Sequence, residues 1–224
     1  MSNIAENLRA VQDRINAAAA RSGRKLDDIT LIAVSKTRSA DEIRQAVSCG
    51  VTDLGENYVQ EAEVKYGELG DTARWHMIGH LQRNKARHAV KCFEMIHSVE
   101  SEDLAVELGK RAQAAGKCQD VLVEVRISGE DTKFGVEPGD VLPFVDRISQ
   151  VSGIRACGLM GMAPFVEDPE QTRPYFARLK QLWDRLPEEQ RIYLSMGMTQ
   201  DFEVAIEEGA NMVRIGTAIF GPRA

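Results

Sequence analysis

The chain has 224 residues, of which 43% are hydrophobic and 28% are charged, and its formal net charge at pH 7 is −6. That composition is ordinary for a soluble globular protein, and the negative charge argues against a general role in binding nucleic acid or anionic membrane. Because no stretch approaches the roughly 18 apolar residues of a membrane span and the N-terminus lacks the apolar run of a signal peptide, we expect a cytoplasmic protein.

The first predicted elements are a helix, a strand and a second helix. Ile4, Leu8, Val11 and Ile15 share one helical face, and this helix ends near residues 21–23. Residues 31–36 (LIAVSK) form a short apolar run that is typical of a buried strand. The next helix opens at residues 39–42 and ends at 49–50, where a glycine provides a plausible stop.

The same strand–helix unit then recurs to the end of the chain. Further strands are predicted at residues 51–57, 74–79, 94–99, 120–127, 154–162, 191–196 and 211–216. Helices are predicted at residues 58–66, from 82, around 104–112, at 138–150, from 168 and at 199–208. Eight parallel strands with right-handed crossovers favour a single (β/α)8 TIM barrel over residues 1–224, with an extra N-terminal helix. The alternative, a doubly wound open sheet, would normally use fewer strands at this length.

Polar residues stand at the C-terminal ends of these strands, where barrels of this class carry their chemistry. The set comprises Lys36, Glu56, Asn57, His76, Ser98, Arg126, Ser128, Ser195 and Arg214. The barrel geometry predicts that these groups converge on one mouth.

Lys36 ends the first apolar run. A lysine at the mouth of an apolar barrel should have a lowered pKa, because burial disfavours its charge, and the free amine is then a nucleophile suited to forming an imine with an aldehyde. The alternative is a lysine that reaches out to solvent from the strand end.

Two glycine-containing turns, at residues 195–199 and 214–218, follow the seventh and eighth strands. Barrels often bind phosphate at this corner, where glycines let the backbone approach a ligand and N–H groups at a helix start face an anion. We predict Thr199 as the N-cap of the helix that follows the first turn, with Asp201 and Glu203 in its first turn. Two ordinary tight turns are the alternative.

Arg214 lies inside the last predicted strand, so its guanidinium needs an acceptor within the barrel. A carboxylate, a phosphate or a pyridine nitrogen of a ligand would serve. The alternative is a buried salt bridge to Glu56 or Glu124.

Neither a metal site nor a disulfide framework is predicted. His76 and His80 fall on a strand and the turn after it, so their rings would not share a face, and no third ligand stands at metal spacing. The cysteines are scattered without a C-x-x-C pair, which predicts four reduced thiols at Cys49, Cys92, Cys118 and Cys157.

Two further basic features leave alternatives open. The segment Arg83–Lys91 predicts a basic surface helix, with a docking or anion-binding face as the alternative. Lys133, in the loop after the fifth strand, is a second candidate for a reactive lysine, with a solvated loop lysine as the alternative.

Five motifs, together spanning nearly the whole chain, resemble those of the pyridoxal 5′-phosphate (PLP) homeostasis proteins. They are residues 33–36 (AVSK), 55–58 (GENY), 75–85 (WHMIGHLQRNK), 194–198 (LSMGM) and 213–217 (VRIGT). The most specific of them is the third, at residues 75–85. One departure follows it at Ala89, where the family signature has a branched aliphatic residue, and this difference concerns helix packing. The family looks like the barrel domain of alanine racemase standing alone.

The resemblance implies a role for six residues. Lys36 would hold the cofactor as an imine, Arg214 would face the pyridine nitrogen, and Asn57 would line the ring pocket near the imine. The phosphate would be held by Ser195, Gly216 and Thr217.

The implied function is that of a monomeric, non-enzymatic carrier and buffer of PLP that passes the cofactor to apo-enzymes. An arginine cannot accept the pyridinium proton, so the ring would be a poor electron sink. The racemases also take a second acid/base from an additional domain, for which this sequence leaves no room. Two alternatives stay open: a slow amino-acid racemase that uses Lys36 alone, and a PLP-sensing protein that docks a partner through Arg83–Lys91.

Overall fold

Eight parallel strands pair in chain order and close into a barrel in the computed structural model, which describes residues 3–128 and 134–222. The strands are β1 (Thr30–Val34), β2 (Asp53–Glu56), β3 (Arg74–Met77), β4 (Met95–Val99), β5 (Gln119–Val125), β6 (Ile154–Gly161), β7 (Tyr193–Ser195) and β8 (Met212–Ile215). The pairing of β8 with β1 closes the ring. The predicted barrel is confirmed, and the open-sheet alternative is wrong.

Helices follow every strand, and one further helix precedes the first. They are α1 (Ile4–Arg21), α2 (Ala40–Ser48), α3 (Val59–Leu69), α4 (Ala86–Cys92), α5 (Glu102–Ala114), α6 (Val141–Ser149), α7 (Arg173–Asp184), α8 (Phe202–Glu207) and α9 (Thr217–Phe220). The short α9 was not predicted, because four residues are too few to show a helical period.

The N-terminal helix α1 packs against helices from both the beginning and the end of the chain. Ile4, Leu8, Val11 and Ile15 are buried, as their spacing predicted. The helix contacts α2, α8 and α9, and the Asn7 amide donates to the Ile219 carbonyl at 2.9 Å. This packing fixes the short α9, whose first residue borders the mouth of the barrel.

Capping residues stand at the starts of several helices, but one cap predicted from the sequence was assigned to the wrong residue. Ser39 caps α2 in a capping box with Glu42. The prediction that Thr199 caps the helix after β7 was wrong. The helix begins at Phe202 after Asp201, whose carboxylate accepts from the Met198 N–H at 2.6 Å in the preceding turn.

Apolar side chains fill only part of the barrel interior. One buried cluster consists of Ile32, Met95, Leu122, Cys157, Met160 and Met212. Other inward side chains are polar, buried and hydrogen-bonded: Asp53, His76, His97 and Arg214. All four cysteines are free, as the sequence predicted.

Within residues 3–128 and 134–222, no helix is both long enough and apolar enough to span a bilayer. Lys133, the second candidate lysine, lies outside these ranges.

Candidate functional site

A cavity of about 520 Å³ opens at the C-terminal mouth of the barrel. The segments that follow β1, β6, β7 and β8 line it, and apolar side chains form much of its wall: Met162, Pro164, Phe165, Val166 and Met198. A volume of this size and an apolar lining with a few polar groups are typical of small-molecule sites.

Three of the six predicted site residues line this cavity: Lys36, Gly216 and Thr217. Lys36 lies in a turn two residues beyond the end of β1, because the parallel ladder with β2 finishes at Val34. Its side chain is half-buried. The structure therefore places the predicted nucleophile at the mouth, in contact with an enclosed space rather than on the outer surface.

The corner of the cavity after β7 and β8 carries two hydroxyl groups. Thr217 is the first residue of α9, and its Oγ1 lies 3.2 Å from the Oγ1 of Thr199. Both residues line the cavity together with Gly216. A short helix after the eighth strand is a recurrent phosphate-binding feature of this fold. The sequence reading had assigned Thr199 only to helix capping, and so missed it as a site residue.

Arg214 is buried at the end of the barrel interior next to this cavity. Its guanidinium donates to Ser195 Oγ at 2.7 Å and to the Gly161 carbonyl at 3.1 Å. Burial lowers the pKa of Arg214 to about 10, and the nearby Glu124 and Asp201 limit the decrease. Arginine remains charged at neutral pH at that value.

The alternative interpretation of Arg214, a salt bridge to Glu56 or Glu124, does not agree with the contacts found within the described ranges. Glu56 points to the other side of its strand and pairs with Lys65 at 2.7 Å. Glu124 is also buried, and burial together with the nearby Glu100 raises its pKa to about 7 despite the opposing charge of Arg214. Arg214 instead bonds to neutral oxygens.

Ser195 begins a hydrogen-bonded chain that crosses the barrel interior. Its hydroxyl lies 3.0 Å from Nδ1 of His97, whose Nε2 lies 3.0 Å from Nδ1 of His76. The Nε2 of His76 lies 2.8 Å from Asp53, at the opposite end of the barrel. We name Arg214, Ser195, His97, His76 and Asp53 the interior chain.

The two ends of the interior chain fix the positions of its protons. Burial alone would raise the pKa of Asp53, but hydrogen bonds from His76, Arg74 and Thr52 outweigh it and lower the pKa to about 2. The carboxylate therefore accepts only, whereas arginine donates only. Burial lowers the pKa of His97 and so favours its neutral form. When both imidazoles are neutral, one direction satisfies every bond: each ring carries its proton on Nε2, and the Ser195 hydroxyl donates to His97 while it accepts from Arg214.

Ser195 is thus fully buried and engaged in hydrogen bonds inside the barrel, and it is not part of the cavity lining. Arg214 is likewise behind the lining. The structure brings these two predicted residues together, and Arg214 is two residues before Gly216 along the chain. Their polar groups lie behind the corner of the cavity that carries Thr199 and Thr217 rather than on its surface.

Asn57 lies apart from the other predicted residues. It lines a second cavity of about 400 Å³ with Gly79, Gln82 and Lys85, which belong to the motif at residues 75–85. Its Oδ1 is buried and has no hydrogen-bond partner within the described ranges. Gly79 is pressed against it, since a Cβ at this position would lie 2.5 Å from the Asn57 carbonyl oxygen.

The two histidines considered as metal ligands point to different places, as the sequence predicted. His76 belongs to the interior chain, whereas His80 lies on the surface beside Glu100 at 3.1 Å and stacks on Phe134. Within residues 3–128 and 134–222, no three or more His, Cys, Asp or Glu side chains are grouped so that they could hold a metal ion.

The basic segment Arg83–Lys91 forms a short turn and most of α4. Its charges are partly compensated, because His88 contacts Glu63 at 2.6 Å and Arg83 lies 3.8 Å from Asp103. The outer face is exposed at Arg83, Arg87 and Lys91, as expected of a surface helix.

The chain matches one protein family, and the relatives described below share one name. Residues 2–224 match the family described as alanine racemase, N-terminal domain. The pyridoxal phosphate homeostasis protein of Aquifex aeolicus is 44% identical, with 99% of each chain covered. That of Pseudomonas aeruginosa is 41% identical and covers 100% of this chain and 97% of its own. The structure of PipY from Synechococcus elongatus with PLP bound superposes with a TM-score of 0.82 at 36% identity, over 98% of this chain and 100% of that one.

Proposed function

The chain belongs to the pyridoxal phosphate homeostasis protein family, with the alanine racemase N-terminal barrel, and from that premise we propose that it is a reversible carrier and buffer of PLP. The observation that supports this most directly is the placement of Lys36 on a cavity of about 520 Å³ that Thr199 and Thr217 also line. PLP carries an aldehyde and a phosphate at separate positions of one small ring, so it needs an amine and an anion site within one cavity.

The residues present fit this cofactor. The Lys36 amine would hold the aldehyde as an imine, and Thr217, Gly216 and Thr199 would bind the phosphate at the start of α9. Arg214 and Ser195 would place a positive, donor-rich group behind the ring nitrogen and the phosphate corner. Asn57, in the neighbouring cavity, would border the ring through the segment after β2.

When bound, PLP supplies an electron sink whose strength depends on protonation of its pyridine nitrogen. Arg214 donates and cannot accept that proton, and its partner Ser195 already donates to His97. The interior chain thus offers the ring a donor only. This arrangement favours binding over carbanion chemistry and supports a non-enzymatic protein.

The cavity lining supports the same conclusion. Apart from Lys36, Asp201 is the residue of the described lining that could act as an acid or a base, and burial raises the pKa of its carboxyl group. Its Oδ1 accepts from Met198 and so holds the turn that leads into α8. Two-base racemisation needs an acid/base on each face of the substrate, and Asp201 is already engaged in this structural role.

We further propose that residues 1–224 act as one domain, as a cytoplasmic monomer that hands PLP to apo-enzymes. Four free cysteines and a net charge of −6 support an intracellular protein without a membrane or nucleic-acid partner.

The test of PLP binding is the absorbance spectrum of the protein as purified and after addition of PLP, followed by borohydride reduction and peptide mapping. We expect an imine band and a reduced adduct on Lys36, and no band in Lys36→Ala. Lys25→Ala is the matched control, because Lys25 is exposed before β1 at the other end of the barrel. An adduct elsewhere, or no band at all, would contradict the proposal.

The racemase alternative has its own measurement. Incubation of the loaded protein with an amino acid in deuterated water would introduce deuterium at Cα if Lys36 acts as a base. We expect no turnover above that of free PLP. Substantial turnover that disappears in Lys36→Ala would show that the protein is an enzyme and not only a carrier.

A further inference from the structure

The turn that carries Lys36 is anchored on both sides by side chains from neighbouring elements. The Ser35 hydroxyl donates to Glu56 Oε1 at 2.6 Å, and its carbonyl accepts from Lys65 Nζ at 2.6 Å. On the other side, the Thr37 N–H donates to Glu61 Oε1. Lys36 therefore projects from a backbone whose two flanking residues are both held.

Lys65 joins these two anchors. Its ammonium group donates to the Ser35 carbonyl, to Glu56 Oε1 at 2.7 Å and to Glu61 Oε1 at 2.7 Å. An ammonium group has three donors, so all of them are used. The side chain is 8% exposed, and lysine is rarely so buried unless it is paired.

Glu56 shows what Lys65 contributes to this cluster. The carboxyl group is fully buried, and burial raises its pKa despite the opposing effects of Lys65 and Ser35. Only Oε1 of Glu56 has hydrogen-bond partners within the described ranges. Removing the Lys65 ammonium would therefore leave a buried carboxyl group and the Ser35 carbonyl without their shared donor.

The anchored backbone is strained next to Lys36. Thr37 has a φ of 64°, and within the described ranges it is the one residue other than glycine with a positive φ. A β-branched residue adopts this conformation at a cost in free energy, so it persists only where surrounding contacts impose it. The bond from Thr37 to Glu61 is such a contact.

We propose that Lys65, acting with Glu61 and Glu56, is a positioning group that holds Lys36 in the orientation that reacts with the cofactor aldehyde. This inference rests on the proposed function, since it assumes that Lys36 binds PLP. Lys65 is not part of the cavity lining and acts through the backbone on either side of Lys36. Its own amine donates to three acceptors, so Lys65 is not itself available to an aldehyde.

The test compares Glu61→Ala and Lys65→Met with Glu63→Ala, a control on the same helix whose carboxylate contacts His88 instead. The rate of imine formation after mixing with PLP is followed by absorbance. We expect Glu61→Ala and Lys65→Met to slow it by about tenfold or more, because misplacing a reacting group by a fraction of an ångström has effects of this size. Glu63→Ala should react like the wild type.

A second comparison separates positioning from general loss of structure. Glycine adopts a positive φ at no steric cost, so Thr37→Gly should restore part of the rate when it is added to Glu61→Ala. A merely structural defect would not be repaired by a more flexible residue. Glu61 is partly exposed, so this pair remains measurable even if Lys65→Met fails to fold.

The outcomes separate the positioning role of Lys65 from PLP binding by Lys36. Slow imine formation in Glu61→Ala, with recovery in the double variant, would support the inference. A wild type that forms an imine and a Glu61→Ala variant of equal rate would overturn the inference alone, as would slow formation without any recovery. A wild type that forms no imine would overturn the proposed function and the inference with it.

Discussion

Nη1 of Arg214 lies 2.7 Å from Oγ of Ser195, and both residues are almost completely shielded from water. Among the described residues, the Ser195 hydroxyl is the group that links the arginine to His97 by hydrogen bonds. The behaviour of the interior chain therefore depends on one hydroxyl group.

The first prediction concerns that hydroxyl. Ser195→Ala should lower the free energy of unfolding by about 1–3 kcal/mol, because it leaves buried groups of Arg214 and His97 without a partner. Ser98→Ala is the matched control: Ser98 is equally buried on a neighbouring position of the barrel, but its Oγ has no hydrogen-bond partner in the described ranges. Urea unfolding of the two variants measures the difference. Equal effects would mean that the Ser195 bonds contribute nothing.

The second prediction concerns Glu124 and pH. Its folded pKa is raised from 4.5 to about 7, so between these values the folded state binds a proton that the unfolded state releases. Stability from this group is complete below about pH 4.5 and is lost as pH rises toward 7, by about 1.4 kcal/mol per pH unit. Glu124→Gln should remove this dependence.

The measurement is the free energy of unfolding of the wild type and of Glu124→Gln at several pH values between about 4 and 8. This range includes the pKa of Glu124 in the unfolded chain and in the folded protein. The difference between the two proteins cancels the titration of all other groups that the substitution leaves unchanged. It should favour the variant increasingly as pH rises. A difference that does not vary with pH would show that Glu124 ionises normally in the folded protein.

The third prediction concerns Gly79. A methyl group there would meet the Asn57 carbonyl oxygen at 2.5 Å, so Gly79→Ala should displace the Asn57 backbone and weaken PLP binding together with stability. Gly67→Ala is the control, since its Cβ would have no neighbour within 4 Å. It should raise the unfolding free energy by about 1 kcal/mol through helix propensity alone. Calorimetry and PLP titration distinguish the two, and unchanged PLP affinity in Gly79→Ala would separate Asn57 from the cofactor site.

The fold could be predicted because its signals are local. The apolar run at residues 31–36 and the helical face of Ile4, Leu8, Val11 and Ile15 depend on neighbours a few residues away, and both elements formed as predicted. Predicted strands were slightly too long, and Lys36 lies beyond β1, because the end of a strand depends on its partner strands. The short α9 carried no period and was missed.

The candidate site could be predicted only in part. Chain order placed Lys36, Gly216 and Thr217 at one mouth, and the structure puts them in one cavity, but their cofactor role stays a prediction. Lys65 was missed because it stands among Glu61 and Glu63 in a helix that looks solvent-facing, and its burial arises from packing against the turn after β1.

The interior chain was missed for a different reason. His97 occupies an inward position of β4, but its partner Ser195 is 98 residues away in the sequence. Polar residues at inward positions of several strands were a signal, since lone buried polar groups are costly and must find each other. The order of the bonds follows only from the barrel geometry.

The direction of the interior chain also constrains how this sequence can change over time. Ser195, His97 and His76 each donate to one neighbour and accept from the other, while Arg214 only donates and Asp53 only accepts, so a replacement at any one position leaves at least one buried group without its partner. Replacement of several members at once by apolar residues avoids that cost. We therefore expect Asp53, His76, His97, Ser195 and Arg214 to covary as one unit among related sequences, retained or exchanged together, although they come from five different strands.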